Sequence, residues 1–139
     1  MTQEEKHLLL KDLCARLPYG VKVGHFGVTK ELLWAIPSSE NVMVGYDIND
    51  YEDTVIEDIK PYLRPMSSMT EEEEREYNGL LKPLGDFMFE QEEEFKPIQL
   101  YKSIPFELYD FFNSHHLDFR GLIPIGIALE APEDMYQMP

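Results

Sequence analysis

Acidic residues are concentrated in the middle of the chain, and this uneven distribution limits where a folded core can form. Residues 41–94 contain 16 acidic and four basic side chains, a net charge of −12, whereas the other 85 residues carry a net charge of −3. Charged side chains are rarely buried without a partner. We therefore expect the two ends of the chain to supply the core and the centre to form a negatively charged surface.

The total charge restricts the classes of partner. The 139 residues include 12 Lys and Arg against 27 Asp and Glu, a formal net charge of −15. A surface of this sign repels the phosphates of nucleic acids and the head groups of anionic lipids. We therefore expect no direct nucleic-acid partner and no membrane partner. The length predicts a single domain over residues 1–139.

The cysteine content and the first residues indicate a compartment. Cys14 is the only cysteine, so the chain cannot form an internal disulfide. The first charged residues are acidic, and no segment approaches the roughly 18 apolar residues of a membrane span. These features predict a soluble, cytoplasmic protein. Cys14 falls in a helical apolar pattern, which indicates a small buried side chain rather than a nucleophile.

The first segment has the pattern of an amphipathic helix over residues 2–17. Thr2 and Glu5 match a capping box, in which each side chain bonds the backbone N–H of the other residue. The helical spacing predicts a buried stripe of Leu9, Leu10, Leu13, Cys14 and Leu17. It predicts an opposite, solvent-facing side of Lys6, Lys11, Asp12 and Arg16.

Two further helices are predicted in the second half of the chain. Thr70 and Glu73 match a second capping box, and a thin apolar stripe follows over residues 70–82. Residues 103–114 begin with Ser-Ile-Pro, which suits a helix start, and continue with Leu and aromatic residues. Residues 84–102 mix aromatic and acidic side chains, so a mobile loop and a short helix fit this segment equally.

Apolar and polar residues alternate in short runs over residues 21–46, which predicts three short strands in a meander. The middle run also fits a helical turn that begins near Thr29, and the strand is our prediction. Residues 47–69 are interpreted as an irregular but packed connection, because Pro61 and Pro65 restrict the residues before them to extended conformations.

These elements predict an α+β fold. Its core is a small antiparallel sheet of about three strands from residues 21–46, with two or three helices packed on it. The helices of residues 2–17 and 103–114 are expected to contact the sheet. The apolar tail, residues 117–139, is expected to pack as well, because exposing so many Leu, Ile and Phe side chains would be costly.

The acidic centre predicts a role in binding. We hypothesise that it presents carboxylates to a basic protein partner, since complementary charge promotes association. An inhibitor that mimics DNA is one alternative, but a mimic needs carboxylates along an extended face, and here they cluster at one loop and one helix start. The candidate partner-binding residues are Asp47, Asp50, Glu52, Asp53, Glu57, Asp58, Glu71 and Glu72.

Three neighbouring residues offer the side chains of a metal site. His115, His116 and Asp118 are ligand types for zinc or iron, so a small metal-dependent enzyme is a further alternative. Adjacent histidines point in different directions in a helix or a strand, however, which favours an interaction of the imidazoles with the end of the preceding helix. The sequence contains no phosphate-binding glycine loop and no nucleophile elbow. We therefore expect no cofactor and a non-enzymatic role.

Two arginines stand among apolar residues in an otherwise acidic chain. Arg64 and Arg120 are each expected to form an ion pair that ties an acid to the core. The alternative is that one of them holds an anionic ligand.

Three stretches of the chain resemble a known group of proteins. They are LPYGVKV at 17–23, IKPYLRPMSSMTEEE at 59–73, and FRGLIP at 119–124 with ALEAP at 128–132. Together they are similar to short, acidic, uncharacterised proteins of gut Bacteroidales and of their phages and mobile elements. The resemblance implies a bacterial or phage cytoplasm and an accessory role. It implies no activity, cofactor or catalytic residue.

Overall fold

The computed structural model describes residues 1–37, 41–47, 49–90 and 106–136, and it shows an α+β fold as predicted. The helices are α1 (Gln3–Arg16), α2 (Glu71–Glu90) and α3 (Phe106–Ser114). The strands are β1 (Lys22–His25), β2 (Val28–Glu31), β3 (Trp34–Pro37), β4 (Val42–Gly45), β5 (Tyr51–Thr54), β6 (Ile59–Leu63) and β7 (Leu129–Glu130). None of the helices in the described part of the chain is both long enough and apolar enough to cross a membrane.

The strands form two sheets. One has the order β2-β1-β6-β7, in which only the β6–β7 pair is parallel, and the other is the antiparallel sheet β3-β4-β5. A three-stranded antiparallel sheet is thus confirmed, but it consists of β3, β4 and β5. The described part of residues 21–46 contains four strands rather than three, and they are divided between the two sheets. The middle run is a strand and not a helical turn.

A bent chain segment leads from the first sheet to the second. The Leu32 N–H donates to the carbonyl oxygen of Val21 at 2.9 Å, whereas the Leu33 N–H donates to the carbonyl oxygen of Gly45 at 2.8 Å. Successive N–H groups of an extended chain point to opposite sides, so β2 pairs on one side and β3 on the other. A 3-10 turn (Ile56–Asp58) then leads into β6, which returns to lie beside β1.

The irregular connection predicted over residues 47–69 is wrong, because it contains β5 and β6. In β6, Ile59, Pro61 and Leu63 are buried and the residues between them are partly exposed, which is the period of a strand. Pro61 lacks an N–H and therefore argues against a central strand. It is tolerated here opposite Val23, in a strand that lies between β1 and β7.

Helix α1 begins as predicted and buries a different face. The capping box of Thr2 and Glu5 is present. Leu9 and Leu13 are buried, but so are Asp12 and Arg16, whose placement on the solvent side was wrong. Cys14, which we expected to be buried, is exposed. The reason is that charged and apolar groups of the tail cover the side of α1 that sequence reasoning assigned to solvent.

The apolar interior has two parts. The larger one joins α1, both sheets and the tail, and it includes Leu9, Val23, Val44 and Leu122. The smaller one lies between α2 and α3 and contains Leu108, Phe111, Phe112 and Leu117, with Met66, Tyr77 and Phe119 at its border. The packing of the tail is therefore confirmed: Leu117, Leu122 and Ile127 are all buried, although only two of its described residues form a strand.

The remaining helix boundaries differ from the predicted ones. The Thr70–Glu73 capping pair is present, but α2 continues beyond residue 82 to Glu90. Residues 84–90 of the segment predicted as a mobile loop or a short helix therefore belong to α2, and its residues 91–102 lie outside the described residues. The described part of the third helix begins at Phe106, so its predicted first turn also lies outside them.

Candidate interaction surface and buried polar clusters

Several of the predicted partner-binding acids have basic neighbours within the chain. Asp50 lies 2.7 Å from the Lys30 ammonium, Glu57 lies 2.7 Å from Lys6, and Glu52 lies 3.1 Å from Nδ1 of His25. Such partly exposed pairs contribute little to folding. In the two lysine pairs, the ammonium offsets part of the negative charge that Asp50 and Glu57 present to a partner.

The structure places the predicted acids on three elements. Asp47, Asp50, Glu52 and Asp53 belong to the β4–β5 hairpin, and Glu57 and Asp58 to the 3-10 turn that follows it. Glu71 and Glu72 are exposed on the first turn of α2, which packs on α3. The exposed acids of the hairpin include Asp47 and Asp53.

The outer face of the three-stranded sheet is apolar. In the strand register, Trp34, Gly45 and Tyr51 are aligned, and so are Ile36, Met43 and Asp53 two residues further along. Side chains alternate between faces, so all of these lie on one side of the sheet. The other side buries Val42 and Val44 against the core. We call Trp34, Ile36, Met43, Tyr51 and Asp53 the sheet face.

Three side chains of the sheet face are exposed. Ile36 is 58% exposed, Tyr51 59% and Met43 36%. The Trp34 indole lies directly on the backbone of Gly45, so close that a Cβ at position 45 would overlap the ring. Its ring centroid is 6.3 Å from that of Tyr51. Sequence reasoning missed this surface. The signal that could have found it is the placement of a Trp and a Gly on strands that pair as neighbours.

A buried histidine connects β1 to the two strands opposite it. His25 is 5% exposed, with Nδ1 3.1 Å from the hydroxyl of Tyr46 and 3.1 Å from the carboxylate of Glu52. Its Nε2 lies 3.3 Å from the hydroxyl of Thr54. When a hydroxyl bonds an imidazole that in turn bonds a carboxylate, the hydroxyl can be activated as a nucleophile. Here Nδ1 is shared with Tyr46, and both ring nitrogens are engaged, so the arrangement fixes the ring between the sheets.

Tyr46 belongs to the same cluster and stays protonated. Burial, together with the nearby carboxylates of Glu52 and Asp50, raises the pKa of Tyr46 to about 12. The Lys30 ammonium lies 4.8 Å from the centre of the Tyr46 ring while it pairs with Asp50. The Lys30 ammonium therefore lies over an aromatic ring and pairs with a carboxylate at the same time.

A second cluster of charged groups is fully buried. The carboxylate of Asp12 accepts from Nε of Arg16 at 3.0 Å and from Nη1 of Arg120 at 2.6 Å. Arg16 also donates to the carbonyl oxygen of Leu117 at 2.7 Å. We call Asp12, Arg16 and Arg120 the ionic network. The predicted role of Arg120 as an ion-pair partner in the core is confirmed, and the signal for Arg16 was its position four residues after Asp12 on a helix.

Arg64 forms the other predicted ion pair. Its guanidinium binds both carboxylate oxygens of Glu73, at 2.8 and 2.7 Å, and donates to the carbonyl oxygens of His115 and Ser68. Hydrogen bonds from Arg64 and from the Thr70 backbone lower the pKa of Glu73 to about 2, although burial opposes the shift. This pair ties the start of α2 to the end of β6.

The three metal candidates face different partners. Nδ1 of His115 lies 2.7 Å from Glu73, the ring of His116 stacks on Tyr136 at 3.6 Å, and the Asp118 carboxylate accepts from the backbone N–H groups of Leu122 and Ile123. Within the part of the chain that the structure describes, no group of three or more His, Cys, Asp or Glu side chains is placed to hold a metal ion.

His116 is held in an unfavourable environment for a charged ring. It is buried, its φ of 58° is left-handed, and its Nδ1 has no hydrogen-bond partner among the described residues. Burial is the main reason why the pKa of His116 falls to about 4, and the cationic groups of Arg16 and Arg64 lower it further. The imidazole is therefore neutral at pH 7.

Comparison with known proteins gives no further assignment, since no protein-family model, curated protein or solved structure matches this chain.

Proposed function

We propose that this chain is a non-enzymatic interaction protein that binds a basic protein partner through the sheet face and the acidic hairpin beside it. The observation that carries the proposal is the exposure of Ile36 and Tyr51, next to Met43 and the half-buried Trp34, on one side of one sheet. Tyr, Trp and Met are enriched in protein interfaces, and Tyr and Trp are common among the residues that dominate binding energy. A contiguous apolar patch of this kind marks a site of association.

The charge of the chain selects the class of partner. Asp53 lies on the sheet face itself, and Asp47 is exposed in the turn of the same hairpin. A partner that covers this surface must approach a protein of net charge −15. Basic side chains around the edge of the partner's apolar surface would speed its approach and favour the correct orientation.

A protein partner explains this surface better than the two alternatives. A DNA mimic needs its carboxylates free along one face, whereas Asp50, Glu52 and Glu57 have basic partners within the chain. A metal-dependent enzyme needs convergent ligands, whereas His115 and His116 contact different groups.

Selection from a display library of random peptides tests the proposal. We expect the full chain to enrich peptides that combine Lys or Arg with apolar residues, and their affinity to fall as salt is raised. The double variant Ile36→Ser, Tyr51→Ser should bind the best peptides at least tenfold more weakly, as expected when a dominant contact is lost. Ile125→Ser, which changes an equally exposed apolar residue far along the chain, is the matched control and should leave binding unchanged. Enriched peptides without basic residues, or equal losses in both variants, would refute the proposal.

A further inference from the structure

We infer that the sheet face accepts an arginine side chain of the partner, whose guanidinium stacks on the Trp34 indole and is attracted by Asp53. This inference rests on the proposed function and names the chemistry of the contact.

The geometry provides a flat aromatic platform. One face of the Trp34 indole covers Gly45, and the side chain is only partly buried, so part of the ring stays accessible to a partner. Tyr51 lies beside it with the two ring planes 36° apart, and Tyr51 is 59% exposed. Asp53 follows Tyr51 by two residues in β5, so the two residues are neighbours on this side of the sheet.

The chemistry of that platform favours a guanidinium. A cation over the face of an indole is attracted by the negative charge density of the ring, and Trp is the strongest of the aromatic residues in this respect. A guanidinium is planar and more weakly hydrated than an ammonium, so it loses less on stacking. The nearby carboxylate adds Coulombic attraction.

The same combination already occurs inside the molecule. The guanidinium carbon of Arg120 lies 4.1 Å from the centre of the Phe119 ring while its Nη1 bonds Asp12. Lys30 lies over Tyr46 while it bonds Asp50. The sheet face carries the aromatic ring of Trp34 and the acid Asp53, and a partner would supply the cation.

A second copy of the chain is a poor source of that cation. Of the four arginines, Arg16, Arg64 and Arg120 are held in the internal ion pairs described above, and only Arg75 is exposed. Two copies would also bring together two net charges of −15. The occupant of the site is therefore a different, arginine-bearing protein.

Trp34 is the only tryptophan of the chain, so its fluorescence reports on this site alone. The experiment uses the best peptide from the display selection in three forms, with arginine, lysine or uncharged citrulline at one position, and titrates each into the full chain. We expect a saturable change in Trp34 emission, with the arginine form bound about two- to fivefold more tightly than the citrulline form and the lysine form between them. Asp53→Asn should reduce the preference for arginine, whereas Ile125→Ser should preserve it.

The outcomes separate this inference from the proposed function. Equal binding of the three forms would overturn the arginine contact and leave the interaction surface intact. Binding that leaves Trp34 emission unchanged would overturn both the contact and the assignment to the sheet face, as would a failure of every basic peptide to bind. Self-association that protects Trp34 from acrylamide quenching would show that a second copy occupies the site, which also contradicts the inference.

Discussion

The ionic network and the sheet face use similar residue types in opposite ways. In the network, Asp12 and Arg16 are completely buried and bonded to groups from the far end of the chain. On the sheet face, Asp53 is exposed beside aromatic side chains that the protein does not cover. The comparison teaches that charge in this molecule has two roles. Buried charge holds distant segments together, and exposed charge next to apolar surface is available to a partner.

The largest expected effect tests the structural half of this comparison. Asp12→Asn removes the carboxylate that both buried guanidinium groups bond, so we expect a loss of about 3–5 kcal/mol in the free energy of unfolding. Urea denaturation measures it. The control is Glu57→Gln, which removes an exposed ion pair with Lys6 and should leave the midpoint unchanged. Similar losses in both variants would show that burial does not distinguish the two kinds of charge.

The next effect concerns pH. The pKa of His116 is lowered to about 4 from 6.5, so the unfolded chain binds a proton that the folded chain excludes between these values. Stability should therefore fall as the pH drops from 6.5 to 4, by on the order of 3 kcal/mol. His116→Phe keeps a ring against Tyr136 and should abolish this slope. If His116→Phe keeps the same slope of stability against pH, another titratable group causes that slope.

Glu73 affects stability over a separate, lower pH range. Its pKa is lowered from 4.5 to about 2, so its contribution is complete above pH 4.5 and is lost as the pH falls to 2. The low-pH part of the unfolding profile should consequently survive in His116→Phe and disappear in Glu73→Gln.

A smaller effect connects the two regions. Gly45→Ala places a methyl group where the Trp34 indole lies, so the ring must move off the sheet. We expect a loss of about 1–3 kcal/mol, typical of overpacking, and a shift of Trp34 emission. Peptide binding at the sheet face should weaken as well. Unchanged emission would contradict the close stacking of the indole on Gly45.

The smallest effect on stability should come from the sheet face itself. Ile36→Ser and Tyr51→Ser change exposed side chains, so each should alter the free energy of unfolding by no more than about 0.5 kcal/mol. Thermal unfolding beside the binding assay would show this. A large destabilisation would mean that these residues support the fold and would weaken their assignment to an interface.

Sequence reasoning succeeded where the determinants are local. Both capping boxes join residues only three apart, and the structure contains them at Thr2 and at Thr70. It failed where contacts are distant. Nothing in the sequence near Arg16 indicates that it donates to a backbone carbonyl 101 residues later. The β6 strand was missed because of its proline, although its other residues alternate regularly between buried and partly exposed positions.

The candidate site was predictable only in its charge. The acidic character of the β4–β5 hairpin follows from composition. The sheet face depends on the register that aligns Trp34 with Gly45 and Tyr51, and a one-residue slip in that register would turn those side chains inward. Register depends on turns and packing that the sequence pattern of a short strand does not specify.

The contacts of Arg16 and Asp12 also determine when the protein can fold during its synthesis. Their partners, Leu117 and Arg120, are translated 101 and 108 residues later. Until those residues leave the ribosome, α1 has a pair of charges on the side that must enter the interior, and water has to solvate them. Because so long a loop must close before the pairing is gained, we infer that the native state is reached only after most of the chain has been released.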